Sequence, residues 1–130
     1  MEKEFVSYSI ALKLKELGFN EECFRGYGSD GEIADYACSF KNYNDSLFIN
    51  APLYQQVFGW FREKHNYSGE VYYYESSDFG KWHFDIEPLK LDGERYTTPV
   101  KEGFNTHQEA QEKLIEKLIE IVENGTVENR

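Results

Sequence analysis

LFINAPLYQQVFGWFREKH, residues Leu47 to His65, is the stretch from which the fold is read. Ser46-Leu47-Phe48-Ile49 is a short apolar run after the polar residues 41–45. Bounded by turn formers, it suits an inner strand. Asn50-Ala51-Pro52 ends it, and Pro52 fits the first helical position because its fixed φ and missing N–H cost nothing there. Beyond it Leu53, Tyr54, Val57, Phe58, Trp60 and Phe61 fall on one face at ~100° per residue. Gln55, Gln56, Arg62 and Glu63 fall on the other. The aromatic face reads as core, since aromatic side chains bury large areas and dominate small cores. Gly59 reads as a weak point on the exposed side, costing about 1 kcal/mol relative to alanine.

Upstream, residues 2–17 contain a first helix. Ser7 caps it, Gly18 suits the left-handed position that ends it, and Val6, Ile10, Leu14 and Leu17 form its stripe. Cys23 to Tyr27 and Glu32 to Phe40 read as a hairpin around Gly28-Ser29-Asp30-Gly31. Downstream, Val71 to Glu75 and Lys81 to Glu87 read as strands. The second alternates sharply, with Trp82, Phe84 and Ile86 on one face and His83, Asp85 and Glu87 on the other. A further strand is predicted over residues 94–98.

The last helix has the clearest start. Thr106-His107-Gln108-Glu109 is a capping box. Ala110, Leu114, Ile115, Leu118, Ile119, Ile121 and Val122 then cover an arc of about 180°. That is wider than one sheet contact needs. It predicts that part of the arc meets a second copy of the chain, through Leu114, Ile115, Leu118, Ile119 and Val122. Asn124-Gly125 is expected to stop the helix.

A chain of 130 residues reads as a single domain spanning 1–130. These elements do not alternate as strand–helix–strand. They predict an α+β fold, with an antiparallel sheet of about four to six strands packed against N-terminal, central and C-terminal helices. No apolar run approaches the ~20 residues of a membrane span. Met1-Glu2-Lys3-Glu4 lacks the regions of a signal peptide, which predicts a cytoplasmic protein. Cys23 and Cys38 form no C-x-x-C pair and read as free thiols. The net charge of −10 argues against binding a phosphate backbone and favours basic partners. Nucleic acid is therefore not an expected ligand, although an acidic nucleic-acid mimic fits the same charge.

His83, Asp85 and Glu87 are the strongest candidate catalytic set. Alternation puts them on one strand face, ~6.6 Å apart by rise alone, where a small hydrolase or metal-binding protein could use them. The same alternation fits a plain solvated face behind a Trp-Phe-Ile core. His65 and His107 read as surface histidines. No G-x-S-x-G, H-E-x-x-H or phosphate loop is present, and no cofactor or metal is called for.

Three segments together carry a resemblance: residues 5–19 (FVSYSIALKLKELGF), residues 47–64 with the block A-P-x-Y-Q-Q-V-F-x-W-F-R-E-K, and residues 106–122. They resemble a group of short uncharacterised proteins encoded by phages, prophages and mobile elements of gut bacteria. The block is the most specific part; residues 23–44 and 70–98 match loosely. The resemblance brings no activity and no site residue. It implies provenance: an accessory protein acting in the cytoplasm of a bacterial host. The expected function is a non-enzymatic interaction module, an inhibitor or adaptor that binds a host or phage protein.

Overall fold

The computed structural model of the chain describes residues 4–33, 42–44, 48–75, 77–93 and 95–128. Among these are three α-helices and five strands, mixed along the chain in an α+β arrangement. The strands belong to two antiparallel sheets, of two and three strands, rather than to one. The chain divides into two units, residues 1–57 and 58–130.

The first unit holds helix α1 (Tyr8–Leu17) and strands β1 (Arg25–Gly28) and β2 (Phe48–Ala51). The Ser7 hydroxyl accepts from the Ile10 N–H, so the expected cap is present. Gly18 takes φ 105°, a conformation natural to glycine, and its N–H closes the last turn. Phe19 folds back, its N–H donating to the Leu14 carbonyl. β1 pairs antiparallel with β2, Tyr27 opposite Ile49. The expected turn at 28–31 forms, with Gly31 at φ 79°. Its first return residue is in place, Tyr27 bridging Ile33. The rest of that arm, including Cys38, lies outside the described residues.

Asn50 is the buried polar centre of this unit. Its Nδ2 donates to the Glu21 carbonyl at 2.9 Å and to Asn42 Oδ1 at 3.0 Å, and its Oδ1 accepts from the Tyr43 N–H. Cys23 is fully buried, and burial, followed by the charge of Glu21, pushes its thiol up to about 12.

Helix α2 (Tyr54–Trp60) starts two residues later than Pro52 predicts. The Pro52 carbonyl instead accepts from the Val6 N–H, and Leu53 bridges Phe5. Gln56 reaches back to the Leu53 N–H at 3.1 Å, half of a capping box. Tyr54, Val57, Phe58 and Trp60 are buried, as the aromatic stripe requires. Among the described residues Gly59 meets only the tip of Arg62, and none of their backbone packs on it.

The second unit begins with a change of winding. Residues Phe61–His65 form a π-helical turn, closed by the Asn66 N–H on the Phe61 carbonyl. Asn66, at φ 61°, then turns the chain directly into β3 (Tyr67–Tyr73). β3 therefore starts earlier than the tyrosine run alone suggests. It pairs with β4 (Trp82–Pro88), which pairs with the two-residue β5 (Tyr96–Thr97). Thr98 extends that edge with its hydroxyl, which accepts the Phe84 N–H at 3.1 Å.

Helix α3 (His107–Glu128) packs on β3 and β4. Its capping threonine is confirmed, Thr106 Oγ1 accepting from the Glu109 N–H at 3.0 Å. The helix runs through Asn124-Gly125 instead of stopping, since a helical glycine costs only about 1 kcal/mol. Leu114 lies over Gly69, where a Cβ would sit 2.8 Å from its methyl carbon. A glycine in mid-strand thus admits the helix. Leu114, Ile115, Leu118 and Ile119 are covered by their own chain, at no more than 4% exposure. The wide arc is therefore core, which removes these four from an exposed dimer face; Val122 is half-buried.

Candidate functional site

His83, Asp85 and Glu87 do share one face of β4, but they meet three different environments. His83 is 1% exposed, contrary to its expected place on a solvated face. Its Nε2 donates to the Gly80 carbonyl at 3.0 Å. Tyr72, directly opposite in register, stacks on its ring at 5.7 Å, and Tyr74 meets it edge-on at 5.9 Å. Gly103 closes the remaining side, for a Cβ there would lie 2.7 Å from Nε2. Two glycines and two tyrosines enclose what strand alternation alone leaves open.

Asp85 is half-buried, and its enclosed Oδ1 meets no hydrogen-bond partner among the described residues. The phenol of Tyr72 is raised above its ordinary value, by burial first, then by the Asp85 charge, then by Tyr74. Glu87 points outward and pairs with Arg95 at 3.0 Å, with both side chains well exposed. Such a pair contributes at most about 1 kcal/mol. Among the described residues no three His, Cys, Asp or Glu side chains come together in a way that could hold a metal ion. No described arrangement brings these three residues to one reacting point.

His83→Ala is consequently expected to destabilise the protein by about 2–3 kcal/mol, through a lost buried ring and an unpaired Gly80 carbonyl. Urea unfolding followed by circular dichroism measures it. A change within about 0.5 kcal/mol would mean that the ring is surface.

The more prominent feature is the tip of the β3–β4 hairpin. Tyr73, Tyr74 and Phe79 are exposed, Phe79 by 57%. Trp82, half-buried, stands edge-on to Tyr73 at 5.2 Å and to His107 at 5.0 Å. Tyr73, Asp78, Phe79, Lys81, Trp82 and Asn105 line an open cleft of about 490 Å³. Its turn is pinned from within. The Lys81 ammonium donates to the Glu75 carbonyl at 2.6 Å and to the Ser77 carbonyl at 3.2 Å. Ser77, itself buried, accepts from the Phe79 N–H. Tyr73, Phe79 and Trp82 are thus grouped about one cleft, while Tyr74 lies against His83 on the other face of the hairpin.

A second cleft, of about 270 Å³, lies between the π turn and the end of α3. His65, Asn66, Lys90, Asp92 and Asn124 line it. The π winding sets the His65 ring 4.7 Å from Trp60 and 5.7 Å from Phe61. Burial lowers the His65 pKa below its ordinary value, since the charged imidazolium is the form disfavoured. The folded state therefore gains from the neutral ring. That gain is full above ~6.5 and is lost as pH falls through the depressed folded value. The stability difference between wild type and His65→Gln is expected to shrink between about pH 7 and pH 5. Parallel urea titrations across that range test it; a constant difference would show that His65 is solvated.

The sequence treats His65 as a surface residue and gives Phe79 no role. The signals for the tip were nonetheless present. Three consecutive tyrosines at a strand end cannot all face one core, and a phenylalanine in a Ser-Ser-Asp-Phe-Gly turn has no strand or helix face to join. Comparison with known protein families, with curated proteins and with solved structures finds no match to this chain. No helix among the described residues is long and apolar enough to cross a membrane.

Proposed function

We propose that this chain is a non-enzymatic protein-interaction module, an accessory protein of a phage or prophage that binds a host or phage protein as an inhibitor or adaptor. The pinned aromatic tip supports that reading most directly. Binding energy in protein interfaces concentrates in a few rigid aromatic anchors, and truncating one typically costs 2 kcal/mol or more. Tyr73, Phe79 and Trp82 surround a cleft, and Lys81 fixes the turn that carries them. The ordering cost on binding is therefore small. The net charge of −10 favours a basic partner surface. The likeness to phage-encoded proteins supplies the provenance.

Phe79→Ala combined with Tyr73→Ala is expected to leave the melting temperature near that of wild type, because both rings are exposed. It is expected to reduce capture of the partner at least about tenfold. Affinity capture from host lysate, with and without phage infection, compares the two proteins by quantitative mass spectrometry. Equal capture by wild type and double variant would remove the tip from the interface.

A further inference from the structure

We infer that the cleft between the π turn and the end of α3 binds a free α-amino acid, its carboxylate held by Lys90 and its ammonium by Asp92. The cleft shares no lining residue with the hairpin tip, and its ligand is independent of the interaction-module reading. One wall is the π turn, which sets the His65 ring against Trp60 and closes on the Asn66 N–H. Single π turns inside helices occur frequently at functional sites. Another wall is the turn after β4, residues 88–93. The Leu89 N–H donates to the Asn66 carbonyl at 2.7 Å, and the Gly93 N–H to the Lys90 carbonyl at 3.3 Å. The first bond ties the two walls together, and the second holds Lys90 and Asp92 on one turn. Ile121 of α3, 4% exposed, adds an apolar surface. The cleft, of about 270 Å³, therefore exists before a ligand arrives.

The charges say what the ligand should carry. Lys90 and Asp92 line the cleft, whereas Leu91 between them does not and is fully exposed. That inverts the usual preference, in which apolar side chains take the covered side of a turn and charges take the solvent. Lys90 and Asp92 form no ion pair with each other. Among the described residues no hydrogen bond or ion pair engages the side chains of Asn66, Lys90, Asp92 or Asn124, or the ring nitrogens of His65. Opposite charges two residues apart thus line one cleft without pairing. A simple anion bound there would stand against Asp92, and a simple cation against Lys90. A neutral ligand would answer neither charge. A small zwitterion answers both, through charge-assisted hydrogen bonds about twice as strong as neutral ones. The Asn66 and Asn124 amides each offer donors and an acceptor to the same two poles, and a neutral imidazole offers one of each. Ile121 and Pro88 leave an apolar surface for the ligand's side chain.

The intact chain, titrated with L-leucine and separately with L-glutamine, is read by nitrogen-edited NMR at the Asn66 and Asn124 side-chain amides and the Trp60 indole. Saturable shifts are expected with at least one of the two amino acids. Two half-ligands of leucine separate the poles: 4-methylpentanoate lacks the ammonium, and isoamylamine lacks the carboxylate. Each should bind at least about tenfold more weakly than leucine. Lys90→Met and Asp92→Asn fall on exposed side chains and should leave the melting temperature in place. Each should weaken the amino acid at least about tenfold. Asp92→Asn should also bring leucine and 4-methylpentanoate to equal affinity, because the ammonium has then lost its partner. Lys90→Met should do the same for leucine and isoamylamine. No saturable shift with either amino acid would overturn the inference. So would wild-type affinity for 4-methylpentanoate equal to that for leucine, which would make the cleft an anion site. Amino-acid affinity unchanged by both substitutions would overturn it as well, because the two charges would then hold neither pole.

Discussion

Leu114→Asp is expected to unfold the protein rather than to release a folded monomer. Leu114 is fully buried and lies against Gly69 at the centre of the helix–sheet contact. An unpaired carboxylate buried there costs several kcal/mol, a large share of the roughly 5–15 kcal/mol that holds a domain together. Ile119→Asp, on the same helix and nearly as buried, should behave alike. Loss of the cooperative melt in circular dichroism, with an expanded or aggregated species on size exclusion, is the expected record. A folded monomer replacing a wild-type dimer would instead restore α3 as an interface.

The second large effect is expected at Gly103. A Cβ there would sit 2.0 Å from the Gly80 oxygen and 2.7 Å from His83 Nε2. Its φ of −63° is open to any residue, so the cost is one of space and not of backbone strain. Both obstacles are fixed, one being backbone and the other a ring held between tyrosines. Gly103→Ala must therefore push the Val100–Glu102 turn off the sheet, taking with it the enclosure of His83. Destabilisation of about 3 kcal/mol or more is expected in urea unfolding. Gly125→Ala is the matched contrast. It lies in a helix with nothing among the described residues within 4 Å of its Cβ position, and should stabilise by about 0.5–1 kcal/mol. Similar behaviour of the two variants would remove the close approach of Gly80 and Gly103 as the cause.

The legible parts of the fold were those written in local chemistry. Ser7, Gly18 and Thr106 act on their own turns, so their caps were readable without any tertiary knowledge. The Trp82, Phe84 and Ile86 alternation likewise located β4. What escaped depended on distant partners. Nothing near Phe61 announces the π turn. Pro52 carries the sequence signature of a helix start, yet its carbonyl is taken by Val6, almost fifty residues away. His83 looked solvated because alternation describes one strand, whereas its cover comes from Tyr72, Gly80 and Gly103 on other segments. The arc of α3 looked too wide for one partner because its packing was not visible along the helix itself. The tip was half legible: its tyrosines were seen, but the lysine that pins their turn bonds to backbone carbonyls, which no sequence pattern displays.

Both tryptophans stand edge-on to a histidine, Trp60 to His65 and Trp82 to His107. An imidazolium withdraws excited-state electrons from an indole more effectively than a neutral imidazole does. The protein therefore carries two native optical probes, one at the π turn and one at the hairpin tip. Replacing one tryptophan with phenylalanine isolates the emission of the other. The Trp60 signal then reports the titration of the π turn, and the Trp82 signal reports events at the hairpin tip. Occupation of the tip can thus be followed in unlabelled protein by the colour and yield of a single residue's light.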